Sequence, residues 1–431
     1  MESQLIPGRA RRGRHLAPSR GLGAKFNVFW FGQAISQFGD YLSYLALPLF
    51  VVSISNKSIS LAIVYSLDTV PTMLFGLLGG VLLDRFQLRK VMVYSDIGRA
   101  LSFVALARIA WMAEQGEVLG LTSIFVLAFV IGIFGAGFVN AMFTIIPFLV
   151  SKSHLTVANS RVAATQNIAF AAGPAAAGIL IDRVGYWLTF LLNSGTFLIS
   201  ASCLVLIGQV DRGSEPGQRL SVLKEALHGL RFVWREARLR VSTIAVAVAN
   251  FVVGFLESTY VLLAADVGAE SGTDTGLIFA AFGVGAILGA LTAPSVTRSW
   301  GLGRALVAGL AVYGGGMLAF ANSKFGYATL LLPLAGHVGL QWMNVPLATI
   351  RQAFTPSVML GRVMTATRAI GWATLPLGSL IGAAIADSAG YSMVVRTAPA
   401  VMILVALTLV PTVLWRDTFT PPETVLQEGP S

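Results

Sequence analysis

Read for the alternation of apolar and polar positions, the chain divides into long apolar runs separated by short charged turns. A helix needs roughly 20 apolar residues to cross about 30 Å of hydrocarbon. Runs of that length lie at about residues 27–53, 60–83, 91–112, 121–146, 158–181, 187–208, 241–264, 274–297, 305–321, 327–347, 362–386 and 392–414. The ninth is short and glycine-rich. The pattern predicts an all-α membrane protein with twelve transmembrane helices, and an even number of crossings puts both termini on one side.

The pattern also repeats. Arg161 opens RVAATQNIAFAAGPAAAG and Arg362 opens RVMTATRAIGWATLPLGSLIG, each starting a run after a short basic turn and reaching a proline, Pro174 or Pro376, at nearly equal distance. Pro294, Arg298, Gly301 and Arg304 fall at the spacing of Gly80, Asp84, Gln87 and Lys90, without the acid. Internal repeats of this kind are expected of transporters built from two related halves. The boundary is Gln209 to Arg240, the longest polar segment, where Leu220, Leu223, Leu227, Leu230 and Trp234 recur at helical spacing opposite Lys224, Glu225, Arg231 and Arg235. That spacing predicts an amphipathic helix lying on the membrane surface. The expected organisation is a basic tail over 1–25, a six-helix half over 26–208, the linker over 209–240, a second six-helix half over 241–414 and a tail over 415–431.

Composition agrees with the pattern. The chain is 55% hydrophobic and 12% charged, where a soluble domain has about 25% charged residues. Its net charge of +10 is spread through the turns, whereas a nucleic-acid binder gathers cations on one soluble face. About 24 of the 30 Lys and Arg fall in alternate turns and the tails, which the positive-inside rule assigns to the cytoplasm. Both tails are therefore expected inside a cell membrane. Cys203 is the only cysteine and lies in an apolar run, so no disulfide framework or thiol metal site is expected.

Ionisable groups inside apolar runs cost roughly 2.5–3.5 kcal/mol each even on the lenient insertion scale, and each needs a reason. They are Asp40, Asp68, Asp96, Arg99, Arg108 and Glu257, with His337 as the mid-run histidine. In the first run Gln33, Gln37, Asp40 and Tyr44 share one helical face; in the seventh Asn250, Gly254 and Glu257 do so, and in the tenth His337, Gln341 and Asn344. The fourth offers Asn140 and Thr144. Such stripes can line a substrate cavity or bond helix to helix for about 1 kcal/mol per contact. For Gln33, Asn140 and Asn250 both readings stand. Asp40 and Glu257, with Asp68 beside them, are the candidate proton-coupling groups, because packing alone does not justify a mid-membrane carboxyl. Asp68, with Tyr65 and Thr72 on its face, could border the cavity or the cleft between halves. Asp96 and Arg99, one turn apart, are expected to neutralise one another, in a cluster with Asp84 and Arg85. Arg108 can extend its head group to the nearby membrane surface.

The turn GVLLDRFQLRK from Gly80 to Lys90 carries a family resemblance. Gly80, Asp84, Arg85, Arg89 and Lys90 resemble the loop between helices two and three of the major facilitator superfamily, with Gln87 and Leu88 departing from its pattern. The stretches FWFGQAISQFGDYLSYLALPLFV, SDIGRAL, GLRFVWREARLR and RQAFTPSVMLGRVMTATRAIG resemble the macrolide-efflux and enterobactin-export branch, in which a Gly-Asp pair like Gly39 and Asp40 is typical. The resemblance implies that helices one, four, seven and ten line a central cavity, the four helices whose polar faces were read above. It also implies that the acid of the 80–90 loop meets the start of helix eleven near Gly361, gating the inner side. Gly173, Pro174 and Gly178 resemble a motif associated with antiporters, though close helix packing explains them equally well.

No nucleotide-binding loop and no soluble stretch long enough for an ATPase domain occur, so the energy source is expected to be an ion gradient. A membrane enzyme would need convergent catalytic groups, yet His15, His154, His228 and His337 are scattered; a sensor would need an output domain. The expected function is secondary active efflux by alternating access, a proton exchanged for a bulky amphipathic molecule such as a drug, a macrolide-like antibiotic or a siderophore. The alternative is an uncoupled facilitator or an uptake permease. No cofactor or metal is expected, and the partners would be substrate, protons and the lipid bilayer around a monomer. Export follows from the resemblance.

Overall fold

A computed structural model describes residues 22–55, 57–83, 86–117, 120–210, 222–356, 359–412 and 415. Among these the chain is helical without strands. The helices are α1 (Ala24–Ile54), α2 (Ser58–Leu83), α3 (Leu88–Glu114), α4 (Leu121–Leu149), α5 (Leu155–Leu206), α6 (Val222–Arg235), α7 (Ala237–Glu257), α8 (Tyr260–Asp266), α9 (Gly272–Trp300), α10 (Leu302–Ala321), α11 (Leu331–Ala353), α12 (Leu360–Ala389) and α13 (Tyr391–Leu409). Eight of them, α1, α4, α5, α7, α9, α10, α12 and α13, are long and apolar enough to cross a membrane. α3, with Arg89, Lys90, Asp96, Arg99 and Arg108, is not among the eight. Large apolar side chains stay exposed on outward faces, among them Leu206, Leu291 and Leu101. A surface of that kind suits lipid rather than water.

Three apolar runs differ from their expected form. The fifth and sixth join in one helical path, α5, whose backbone leaves helical geometry at Gly185 with φ +76°. A side chain is strained at such an angle, and a Cβ there would stand 2.7 Å from Glu114 Oε1. The seventh run is cut in two, because α7 stops at Glu257 and α8 resumes at Tyr260. Between them Ser258 and Thr259 donate their hydroxyls to the Phe255 and Leu256 carbonyls, at 3.2 and 2.8 Å, a local alternative to continued helix. Helix α6 covers most of the stretch expected to be amphipathic. Its Gly229 lies against the Arg362 carbonyl at the start of α12, with no room for a Cβ. Val233 is buried and Trp234 exposed.

The helices pack as two sets. α1 beds along α5, α3 lies against α4 and α5, and α2 against α4; in the second set α7 packs on α12, α9 on α11, and α10 on α11 and α13. Two seams join the sets, α5 to α9 and α2 to α12. Small residues make the α5–α9 seam close. A Cβ on Gly178 would collide with the Gly272 carbonyl oxygen, and one on Gly276 would stand 2.7 Å from the Pro174 carbonyl oxygen. Gly173 of the same motif faces Tyr41 of α1 instead.

Candidate functional site

Gly39 lets α1 approach α5 closely, since a Cβ there would collide with Asn193 and Thr196. This contact turns Asp40 towards α3. The Arg99 guanidinium donates through Nη1 to both Asp40 oxygens, at 2.9 and 3.1 Å, and through Nη2 to Asp96 Oδ1 at 2.5 Å and Ser36 Oγ at 3.4 Å. The rings of Phe138 and Phe197 each lie 4.3 Å from its Cζ, so the cation is held on its faces by aromatic quadrupoles and on its edge by carboxylates. Arg99 and Asp96 are buried, whereas the Asp40 side chain is 40% accessible.

That accessible side of Asp40 faces a cavity of about 220 Å³ lined by α1, α2, α3 and α4. Its polar lining is Asp40, Ser43, Tyr44, Tyr65, Asp68, Thr72 and Arg99, and its apolar walls include Leu47, Val64, Phe103 and Ile131. Asp68 enters through a close α2–α4 approach: a Cβ on Gly132 would stand 2.8 Å from the Leu67 carbonyl oxygen and 2.9 Å from Asp68 Cα. Among the described residues Asp68 makes no ion pair. The cavity thus combines two carboxyls with one arginine that already serves a third.

Tyr44 links this cavity to the second helix set. Its hydroxyl donates to Glu257 Oε1 at 2.7 Å, and its ring meets Tyr65, Phe170 and Phe279 at 6.0, 6.4 and 6.0 Å. Glu257 sits where α7 breaks, so the acid occupies a helix end inside an apolar run. Beyond it Tyr260 and Tyr313 share a hydroxyl hydrogen bond at 2.8 Å.

The structure separates the residues that the polar stripes had grouped. On α1, Asp40 and Tyr44 line the cavity, but Gln33 and Gln37 are buried and donate to Ser200 Oγ at 3.3 Å and Met142 Sδ at 3.5 Å. Asn140 donates to the Ala136 carbonyl of its own helix, and Asn250 to the Gly371 carbonyl of α12, at 2.8 and 2.9 Å. His337 is buried, stacked on Phe282 at 4.2 Å, with its ring Nδ1 donating to the Pro333 carbonyl at 3.0 Å. Gln341 packs beside Gly289, and Asn344 is exposed. Arg99 does bond Asp96 as expected, yet it bonds Asp40 as well, a candidate proton group that sequence reading kept apart from that pair. Of the 80–90 turn, Asp84 and Arg85 lie outside the described residues. Arg89 donates to the Val205 carbonyl at 3.4 Å, and Lys90 is exposed.

The long reaches, from Tyr44 to Glu257 and from Arg99 to Asp40, left no signal in local spacing. Sequence reading also passed over Asp182 and Asp387. Asp182 accepts from the backbone N–H of Gly272 and Thr273, and Asp387 from those of Ser58 and Ile59. Their only signal was that each is an acid closing an apolar run that starts at one of the repeated arginines.

The family profile described as transmembrane secretion effector matches residues 15–417. The multidrug efflux pump Tap of Mycolicibacterium fortuitum is 26% identical over 82% of this chain and 87% of its own length. The enterobactin exporter EntS of Escherichia coli is 26% identical over 94% of this chain and 96% of its own. Among solved structures, the nucleoside transporter NupG superposes with a TM-score of 0.71 at 10% identity, covering 90% of this chain and 98% of NupG. A bacterial homologue of the iron transporter ferroportin gives 0.65 at 16% identity, covering 90% and 99%. With helices of lipid-compatible surface and a family match over residues 15–417, the chain belongs to the transmembrane secretion effector family of the major facilitator superfamily and is a multi-pass membrane transporter, with the Tap and EntS efflux proteins among its relatives.

Proposed function

We propose that this transporter exports bulky amphipathic small molecules in exchange for protons, by alternating access between two six-helix halves. In this reading α5 counts as two spans about Gly185 and α7 with α8 as one, which gives twelve, and α6 with its flanks forms the linker. The α5–α9 and α2–α12 seams are then where the halves meet. Export is supported by the names of the relatives, a multidrug pump and a siderophore exporter. Both termini would lie in the cytoplasm of a cell-membrane protein, by the distribution of Lys and Arg.

The observation that carries proton coupling is the charge balance of the α1–α4 cavity. Asp40 and Asp68 line it with Arg99 as its one cation, and Arg99 also serves the buried Asp96. Three carboxyls thus share one cation, and the mutual repulsion of like charges favours a proton on Asp68 or Asp40. Glu257 is the second acceptor. Protonated or ionised, it presents a different partner to the Tyr44 hydroxyl, so its proton changes a contact between α1 and α7. Substrate would enter between these helices, against the rings of Tyr44, Phe170 and Phe279. The loop residues Asp84, Arg85, Arg89 and Lys90 are the proposed inner gate.

The test uses inverted vesicles with an internal pH dye, challenged with macrolides, other lipophilic drugs and siderophores. Substrate-dependent proton release that Asp68→Asn, Asp40→Asn or Glu257→Gln abolishes establishes antiport and names the acceptor. Substrate movement with no proton flux in the unaltered protein refutes coupling and leaves a facilitator.

A further inference from the structure

At the end of the molecule away from the 80–90 turn, two carboxylates reach from one helix set to the other in reciprocal fashion. Asp182 closes the first leg of α5 and accepts from α9, with Oδ1 taking Gly272 N–H at 2.9 Å and Oδ2 taking Thr273 N–H at 2.7 Å and its hydroxyl at 2.6 Å. Asp387, near the end of α12, accepts from α2, with Oδ1 taking Ser58 N–H at 2.7 Å and Oδ2 taking Ile59 N–H at 3.1 Å. Each acid thus grips two consecutive N–H groups in the first turn of a helix that belongs to the other set. These donors have no acceptor within their own helix, and the end of a helix dipole favours an anion there.

Ordinary capping does not account for the arrangement. α9 already has a local cap, since the Ser271 side chain accepts from Asp274 N–H at 3.0 Å, and Asp182 adds a second acceptor from across the seam. The seam is also shaped for it: a Cβ on Gly272 would stand 2.8 Å from Asp182 Oδ1. Asp182 and Asp387 follow the repeated segments that begin at Arg161 and Arg362, so the two contacts are counterparts under the exchange of halves. Both carboxylates are exposed. Released, the acids and the freed N–H groups would be rehydrated, so the contacts can be made and broken at modest cost.

We infer that Asp182 and Asp387 are a matched pair of outer-gate residues, which hold the outer ends of the two halves together and must both release before the transporter opens outward. The inference rests on the alternating-access reading. The Tyr44–Glu257 bond is then a third crossing, deeper along the same opening path.

Spin-label distances on the full chain in lipid nanodiscs test this, in a Cys203→Ser background. Labels at Arg183→Cys with Glu270→Cys report the α5–α9 seam, and labels at Lys57→Cys with Ser388→Cys report the α2–α12 seam. With both acids intact, short distances should dominate. Asp182→Ala and Asp387→Ala should each raise the ratio of long to short distances by about tenfold, the scale of one charge-assisted contact, and together by more than either alone. Asp266→Ala is the control at the same end: Asp266 accepts from the Tyr391 hydroxyl at 2.5 Å within one set, and its loss should leave both distributions unchanged. Unchanged distances in the double variant, or an equal shift in the control, would overturn the inference. Because the measurement uses neither substrate nor gradient, a failure of proton-coupled export would show separately, as absent transport beside an intact distance change.

Discussion

Replacing Arg99 by methionine tests the physical logic of the site most directly. The Arg99 side chain is 2% accessible, and its guanidinium bridges two carboxylates of unequal surroundings: the Asp96 side chain is 0% accessible and that of Asp40 40%. Without its cation Asp96 cannot be hydrated, and breaking a buried pair by removing one partner costs about 3–5 kcal/mol. Asp40 can be hydrated from the cavity, so its share is about 1 kcal/mol or less. Methionine keeps apolar and sulfur contacts with Phe138 and Phe197, which offset roughly 0.3–1.5 kcal/mol of the lost cation–π contact. Arg99→Met should therefore lower stability by about 3–5 kcal/mol, measured by reversible unfolding in mixed micelles followed by tryptophan fluorescence. Adding Asp96→Asn should restore most of that loss, and adding Asp40→Asn should restore little. A loss under about 1 kcal/mol, or better rescue by Asp40→Asn than by Asp96→Asn, would refute the assignment of the buried charge to Asp96.

Tyr44→Phe removes the hydroxyl that meets Glu257 while keeping the ring contacts; it should cost about 1.5–3 kcal/mol of contact between α1 and α7 and lower proton release per substrate moved in the vesicle assay. Unchanged stoichiometry would show that the bond has no part in coupling. Gly178→Ala puts a methyl group into the Gly272 carbonyl and should destabilise the protein by about 1–3 kcal/mol, with the Arg183–Glu270 label distance lengthened; an unperturbed seam would disprove the tight α5–α9 contact. Gln33→Leu removes a buried amide bonded to Ser200 and should change stability by no more than about 2 kcal/mol with substrate selectivity retained, whereas an altered selectivity would return Gln33 to the cavity.

Much of the membrane architecture is legible in the linear pattern. Run length, the charge of the turns, the repeat at Arg161 and Arg362 and the amphipathic linker follow from how a helix meets lipid or water, and that depends on residues close in sequence. The mid-run carboxyls also announce themselves, because the bilayer makes each one costly wherever its helix turns. Which groups they meet does not. Asp40 lies 59 positions from Arg99, and Tyr44 213 positions from Glu257, so these pairings depend on how far each helix is rotated about its axis and how closely it approaches its neighbour. Glycines such as Gly39 and Gly132 set those approaches, and their role appears only once the facing helix is known. The stripe from Gln33 to Tyr44 marks the limit: one helical face pointed to one environment, yet the packing of α4 and α5 covers its first two residues and leaves Asp40 and Tyr44 open to the cavity. Helicity and membrane compatibility are thus properties of the sequence itself. The arginine's choice of acids, the tie from Tyr44 to Glu257 and the reciprocal grips of Asp182 and Asp387 were decided by tertiary packing, since each joins groups that no local period can bring into register.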